Sequence, residues 1–265
     1  MYVGAPSDWQ VGLQKSATPV MLKTVQLMHH TNALLLLVII TVPLSIVCLC
    51  YKYGVRNSGT ARPVQVNESV PLEITWTVLP MVLLFGICLP SFEILKYQML
   101  QREKPFTTIR VTAYQWCWKY EYNFNGRRPS YISSMLKASQ RRAFKKCNTR
   151  IYPRLMAADF ELVIPARKVV RLLITSADVI HSFAVPCFGV KTDAIPGKIN
   201  DTWVKVYQPG VYYGQCSEFC GKDHAFMPIA VRVVSHQVFR KWIELAESDL
   251  SEAFEYARLH GKATA

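Results

Sequence analysis

Hydrophobic and polar positions change rhythm twice along this chain. From Ala33 to Tyr51 it reads ALLLLVIITVPLSIVCLCY, with no charge over 19 residues, and Ile74 to Phe92 is again uncharged. About 20 apolar residues cross a bilayer as a helix, so the pattern predicts two spans, at about 33–51 and 74–92, in a hairpin covering 33–95. Two core helices of a large soluble fold are the poorer reading, because charge-free runs of this length are uncommon there. Pro43 predicts a kink rather than a break, since neighbouring helices can satisfy the freed carbonyl, and the second run ends with Pro90.

Beyond the second span the period falls to two. Ile109, Val111 and Ala113 alternate with Arg110 and Thr112, and Val170, Leu172 and Ile174 with Arg171 and Leu173. Ile229, Val231 and Val233 alternate with Ala230 and Arg232. Pro165, Pro186, Pro196–Gly197 and Pro209–Gly210 punctuate these runs, the pattern of a β-sandwich or barrel over 105–235. From Gln237 to Leu259 helical spacing returns, with Phe239, Trp242, Ile243, Leu245 and Ala246 on one face and Glu244, Glu247, Asp249 and Glu252 on another. One amphipathic helix is therefore predicted within 236–265, lying on a neighbour. Residues 1–32 read as an extramembrane segment.

Composition supports this division: 51% of the 265 residues are hydrophobic, yet 18% are charged, as suits a lipid-embedded part joined to a water-facing part. The formal net charge of +13 is unevenly spread. Arg127, Arg128, Lys137, Arg141, Arg142, Lys145, Lys146, Arg150 and Arg154 fall in a stretch without Asp or Glu, inside an insertion at about 125–155. It reads as a solvated loop that could meet an acidic subunit or anionic lipid heads. Nucleic acid is excluded as its partner, because it hangs from a barrel with no recognisable binding fold. Lys52, Arg56 and Arg62 favour an inside connection between the spans, while Lys15, Lys23, Lys96, Arg102 and Lys104 oppose it. The first apolar run begins too late for a plain signal peptide.

Eight cysteines occur. Cys48, Cys50 and Cys88 lie in apolar runs, where a thiol acts as a small hydrophobe, and only Cys216 and Cys220 form a close pair. CSEFCGKDHAFM, Cys216 to Met227, gathers two thiolates, the His224 imidazole and the Met227 thioether within twelve residues. His181, on a loop after a predicted strand, adds a second imidazole. Soft sulfur with imidazole selects copper or zinc. A closed zinc site would leave Met227 unused, and a mononuclear blue-copper site would leave one thiolate spare. Two copper ions bridged by both thiolates use every group.

Six separated motifs occur in the order found in subunit II of cytochrome c oxidase, which the chain resembles. They are QKSATPVM at Gln14–Met21, LEITW at Leu72–Trp76, LPS at Leu89–Ser91, YQWCW at Tyr114–Trp118, HSFAVPCFGVKTDAIPG at His181–Gly197, and Gly210 to Pro228. The resemblance implies a two-helix membrane hairpin, then an all-β cupredoxin-like Greek-key barrel with a C-terminal helix. It implies a dinuclear copper (CuA) centre: Cys216 and Cys220 bridge, His181 and Met227 complete one copper, and His224 with the Glu218 carbonyl completes the other. The Glu218 carboxylate would hold a magnesium ion shared with subunit I.

The implied function is to accept electrons from cytochrome c, with Trp116 the point of uptake, and to pass them to haem in subunit I. Oxygen is reduced to water there, coupled to proton translocation, and this chain alone reduces none. Glu73 would lie near a proton-channel entrance in subunit I. Asp178 matches an acidic position near the cytochrome c dock, but Ala177 and the basic run after Tyr122 depart from the acidic pattern. Implied partners are subunit I, other oxidase subunits, cytochrome c and membrane lipid. The implied location is the mitochondrial inner membrane with the copper domain in the intermembrane space, or alternatively a bacterial plasma membrane. A quinol oxidase subunit would lack the copper ligands, nitrous oxide reductase would lack the hairpin, and a thiol-redox protein would leave His181 and Met227 without a role.

Overall fold

The computed structural model describes residues 2–54, 67–100, 103–145 and 152–261. Arg56 and Arg62 of the connecting loop, Arg102, and Lys146 and Arg150 of the basic insertion lie outside the described residues. The chain divides into two compact units, 23–96 and a second made of 1–22 with 97–265.

The first unit is a helical hairpin. Helix α1 spans Pro19–Tyr53 and α2 spans Val70–Met99, so both outrun the predicted spans. Charged and polar residues continue each helix past its apolar stretch, because backbone hydrogen bonding does not stop where the lipid-matching sequence does. Leu36, Ile39, Leu44, Leu84 and Phe85 are more than half exposed along the helices, as side chains that face lipid must be. Pro90 has no N–H, which deprives the Gly86 carbonyl of its helical donor. The His30 ring Nε2 lies 3.0 Å from that oxygen, so α1 supplies the hydrogen bond that α2 has lost.

The second unit carries eleven strands among the described residues: β1 Tyr2–Gly4, β2 Thr107–Tyr114, β3 Cys117–Asn123, β4 Ser130–Ser133, β5 Leu162–Pro165, β6 Val170–Ser176, β7 His181–Val185, β8 Val190–Ala194, β9 Asn200–Val204, β10 Gly210–Cys216 and β11 Pro228–Val234. One sheet runs β5-β11-β10-β7-β8 with β1 alongside β10, and the other runs β4-β3-β2-β6-β9. Their inner faces bury Ile109, Val111, Leu172, Ile174, Ile229, Val231 and Val233, residues that alternate in the sequence, together with Trp118 and Phe183. The fold is the expected membrane hairpin followed by a cupredoxin-like barrel.

Four details differ from the expectation. The N-terminal segment is stitched to the barrel, through β1 and through hydrogen bonds from Ala17 N–H to the Cys187 carbonyl and from Tyr207 N–H to the Ala17 carbonyl. The C-terminal helix is two helices, α4 His236–Leu245 and α5 Leu250–His260, because the Asp249 side chain caps the N–H groups of Ser251 and Glu252 and starts a new helix. Both pack on the protein's own barrel rather than on a neighbour. Trp242 meets Tyr122 at 5.0 Å between ring centroids, and Phe254 meets Tyr131 at 5.3 Å. The basic insertion contains β4 and a short helix α3, Ala138–Lys145, and Arg127 pairs with Glu244 and Glu247 of the C-terminal region. Next to it, buried Glu161 forms a bidentate pair with buried Arg232 of β11.

Candidate metal centre

The register of β7 against β10 sets the site. Cys216 closes β10 opposite Phe183, and His181 opens β7 two residues before that partner. Sequence reasoning puts His181 on a loop; it is the first residue of a strand, fully buried. The Ser217 N–H donates to the Ser182 carbonyl at 3.0 Å and turns the chain out of β10. The loop then rejoins the same hairpin at Pro228, which folds Cys220, His224 and Met227 back over Cys216.

Donor atoms converge there. The Cys216 sulfur lies 3.9 Å from His181 Nδ1, 3.9 Å from the Cys220 sulfur and 3.3 Å from the Glu218 carbonyl oxygen. The Cys220 sulfur lies 3.4 Å from His224 Nδ1 and 3.5 Å from the Met227 sulfur. A disulfide bond is about 2.05 Å long, so the two thiols are not joined. Tetrahedral bonds of about 2.3 Å to sulfur and 2.0 Å to nitrogen place donor pairs roughly 3.5–3.8 Å apart, a range that the spacings of 3.3–3.9 Å here bracket. His181, Cys216 and Cys220 form the one metal-capable group of His, Cys and carboxylate side chains among the described residues. They and Met227 are buried, His224 is half-buried, and the Glu218 carboxylate is exposed.

A supporting shell fixes these donors. Asp178 Oδ1 lies 2.8 Å from His181 Nε2 and accepts the Val179 N–H at 2.6 Å, while Oδ2 accepts the Gln115 N–H at 2.7 Å. Holding Nε2 in this way leaves Nδ1 facing the sulfurs, the usual arrangement of a metal-binding histidine. Gln115 Nε2 donates to the Cys220 carbonyl at 2.8 Å, and Trp118 Nε1 donates to the Met227 carbonyl at 3.3 Å. Asp178, Gln115 and Trp118 were missed as positioning groups by sequence reasoning. The one available signal was Asp178 three residues before His181.

Charge is distributed unevenly across the site. Burial pushes the Cys216 thiol up, but hydrogen bonds from His181 and from the Ser182 and Glu218 backbone outweigh it and hold Cys216 below the usual thiol range. Burial and the negative charge on Cys216 push Cys220 up. Burial disfavours a charged His181, yet Cys216 and Asp178 together raise it. The pocket thus eases loss of the proton from Cys216 and opposes its loss from Cys220, and a cation must take the place of that proton if both sulfurs are to be anionic.

Trp116 sits in the turn between β2 and β3, so Tyr114 and Tyr122 lie on opposite arms of a hairpin. Its ring rests on the cysteine loop. A Cβ at Gly221 would come within 3.2 Å of that ring and 3.1 Å of Gln115 Nε2, and the φ of +116° there also requires glycine. Glu73 belongs to the helical unit, where its carboxylate accepts the Ser69 N–H at 3.4 Å in the first turn of α2.

Two family models match the chain: cytochrome c oxidase subunit II, transmembrane domain, on residues 6–94, and cytochrome c oxidase subunit II, periplasmic domain, on residues 107–234. A probable cytochrome c oxidase subunit 2 of Rickettsia bellii is 39% identical over 246 residues, which cover 91% of this chain and 86% of the relative.

The chain belongs to the cytochrome c oxidase subunit II family.

Cytochrome c oxidase subunit 2 of Arabidopsis thaliana is 36% identical, with 90% of each chain covered. The crystal structure of the periplasmic domain of subunit II from Bradyrhizobium japonicum shares 48% identity over 56% of this chain and 97% of that one, with a TM-score of 0.48. As a subunit II the chain is a component of the haem–copper oxidase complex, its two long apolar helices cross the membrane, and its His, Cys and Cys cluster suits copper.

Proposed function

We propose that this chain accepts electrons from cytochrome c at a dinuclear copper centre and delivers them to haem in subunit I, where oxygen is reduced to water with proton translocation. Cys216 and Cys220 would hold both metals, His181 and Met227 would hold one, and His224 with the Glu218 carbonyl would hold the other. When bound, such a centre supplies one-electron redox chemistry shared over both metals and both sulfurs. The observation that carries the reading is that all six donors lie within 3.3–3.9 Å of a cysteine sulfur.

The chain's own residues supply rigidity. His181 is held by Asp178, Cys220 by Gln115 and Met227 by Trp118, so the donors need to move little as charge arrives. The outward-facing Glu218 carboxylate is suited to a magnesium ion shared with subunit I. Trp116, pressed on the cysteine loop, is the residue through which electrons arrive, and Glu73 lies beside the proton-channel entrance. Membrane lipid and further oxidase subunits complete the surroundings. Relatives include a mitochondrial protein from Vigna unguiculata and rickettsial proteins; we favour the mitochondrial inner membrane, with a bacterial plasma membrane as the alternative.

Stopped-flow mixing of the intact oxidase with reduced cytochrome c tests this function. The near-infrared copper band should bleach before the haem is reduced, and Trp116→Phe should slow that first phase with the resting spectrum unchanged. Haem reduction that precedes any change at copper would refute the reading, and an unchanged first phase in the variant would remove Trp116 from the path.

A further inference from the structure

Away from the metal centre, the barrel has an open cavity of about 600 Å³ with an unusual charge balance. Lys104, Arg167, Lys168, Lys205 and Arg240 line it, with Glu103 as the lone acid. These cations come from four separate parts of the chain: the segment after α2, the β5–β6 turn, the end of β9 and helix α4. A charge run in the sequence therefore does not explain them; the fold brings them together.

Glu103 is engaged with Lys205 at 2.7 Å. Among the described residues, Lys104, Arg167, Lys168 and Arg240 have no ion-pairing carboxylate. The neighbouring cavity around Trp203 differs, since Arg171 there is neutralised by Asp201 at 2.5 Å. Two of the cationic groups are also positioned. Arg167 holds a left-handed backbone with φ +58°, pinned by its N–H to the Val206 carbonyl, and its Nε donates to the Tyr207 carbonyl at 3.4 Å. The Lys168 ammonium lies 5.9 Å from the centre of the Phe106 ring. Strained backbone kept in place to present a guanidinium is a feature of ligand sites.

Several Lys and Arg groups around one concavity match the chemistry of a phosphate-bearing anion. The source follows from connectivity. Glu103 to Phe106 begin four residues after α2 ends at Met99, and five residues of chain reach at most about 18 Å, so Lys104 is tethered near the end of a span. The aromatic pair Tyr97 and Trp203, 5.5 Å apart, marks the same end of the helix, as such rings do at membrane interfaces. We infer that this cavity binds the headgroup phosphate of an anionic phospholipid.

The test uses the intact oxidase in phosphatidylcholine vesicles doped with phosphatidylglycerol carrying a photoactivatable headgroup, with cross-links mapped by peptide mass spectrometry. Cross-links are expected on the peptides holding residues 103–106 and 167–169. Each removed charge should lower labelling roughly fivefold, so Lys168→Glu with Arg240→Glu should nearly abolish it while the copper spectrum stays normal. If that pair fails to assemble, Lys104→Glu, on a segment outside any helix or strand, serves instead and should show the same direction. Equal labelling by a phosphatidylcholine photoprobe, or undiminished labelling of the charge variants, would overturn the inference. Labelling abolished by inorganic pyrophosphate would assign the cavity to a soluble phosphate and overturn the lipid source.

Discussion

Asp178→Asn isolates how far the proposed copper donors depend on what stands behind them. The carboxylate receives the Gln115 and Val179 N–H groups at 2.7 and 2.6 Å and holds His181 Nε2 at 2.8 Å. Burial pushes this carboxyl up, but hydrogen bonds from His181, Gln115 and Val179 outweigh it, so Asp178 is held below the usual carboxylate range. An amide keeps one acceptor oxygen and turns an N–H₂ toward a group that donates. The loss is therefore one hydrogen bond to a charged acceptor, about 1.5–3 kcal/mol. Freed to turn, His181 no longer presents Nδ1 in one orientation, and loss of such a support lowers metal affinity about 10–100-fold. Chelator competition on the purified oxidase measures this, with Asp193→Asn, an exposed position on β8, as the control. Copper affinity equal to the parent, with an unshifted reduction potential, would show that Asp178 does not position His181.

Three further substitutions probe the frame. Arg232→Leu strands the Glu161 carboxylate in the interior and should cost about 3–5 kcal/mol in denaturant unfolding, with much of the loss recovered by adding Glu161→Leu; a single variant as stable as the parent would contradict this. His30→Leu should destabilise the helical hairpin by about 0.6–2 kcal/mol. That cost should shrink in a Pro90→Ala background, where the Gly86 carbonyl regains a helical donor; equal costs in both backgrounds would refute the role given to His30. Glu73→Gln should slow proton uptake during turnover, and a variant that pumps at the parent rate would remove Glu73 from the channel entrance.

Much of the fold was readable because its rules are local. A charge-free run of sufficient length specifies a span, and alternation at Ile109–Ala113 and Val170–Ile174 specifies strands with one face in the core, whereas the strand holding Ile229–Val233 is buried along its whole length, Arg232 included. The donor cluster was readable because Cys216 to Met227 is compact in sequence and two thiolates need a cation. What was hidden depends on register and long-range closure. That β7 begins at His181 follows from pairing with β8 and β10, which no local pattern encodes. The break before α5 was signalled by Asp249, but the helical spacing on either side of it masked the cap. Gln115 reaches Cys220 across 105 residues, and the cationic cavity assembles groups that look like scattered surface charges along the chain.

Electron paramagnetic resonance of the oxidised complex tests most directly whether the two thiolates bridge a metal pair. The expected spectrum is that of one unpaired electron split by two equivalent copper nuclei, accompanied by two copper atoms per chain and lost in Cys216→Ser or Cys220→Ser. A spectrum split by a single copper nucleus, or a fully assembled subunit whose Cys216 and Cys220 are joined in a disulfide with no metal bound, would contradict it.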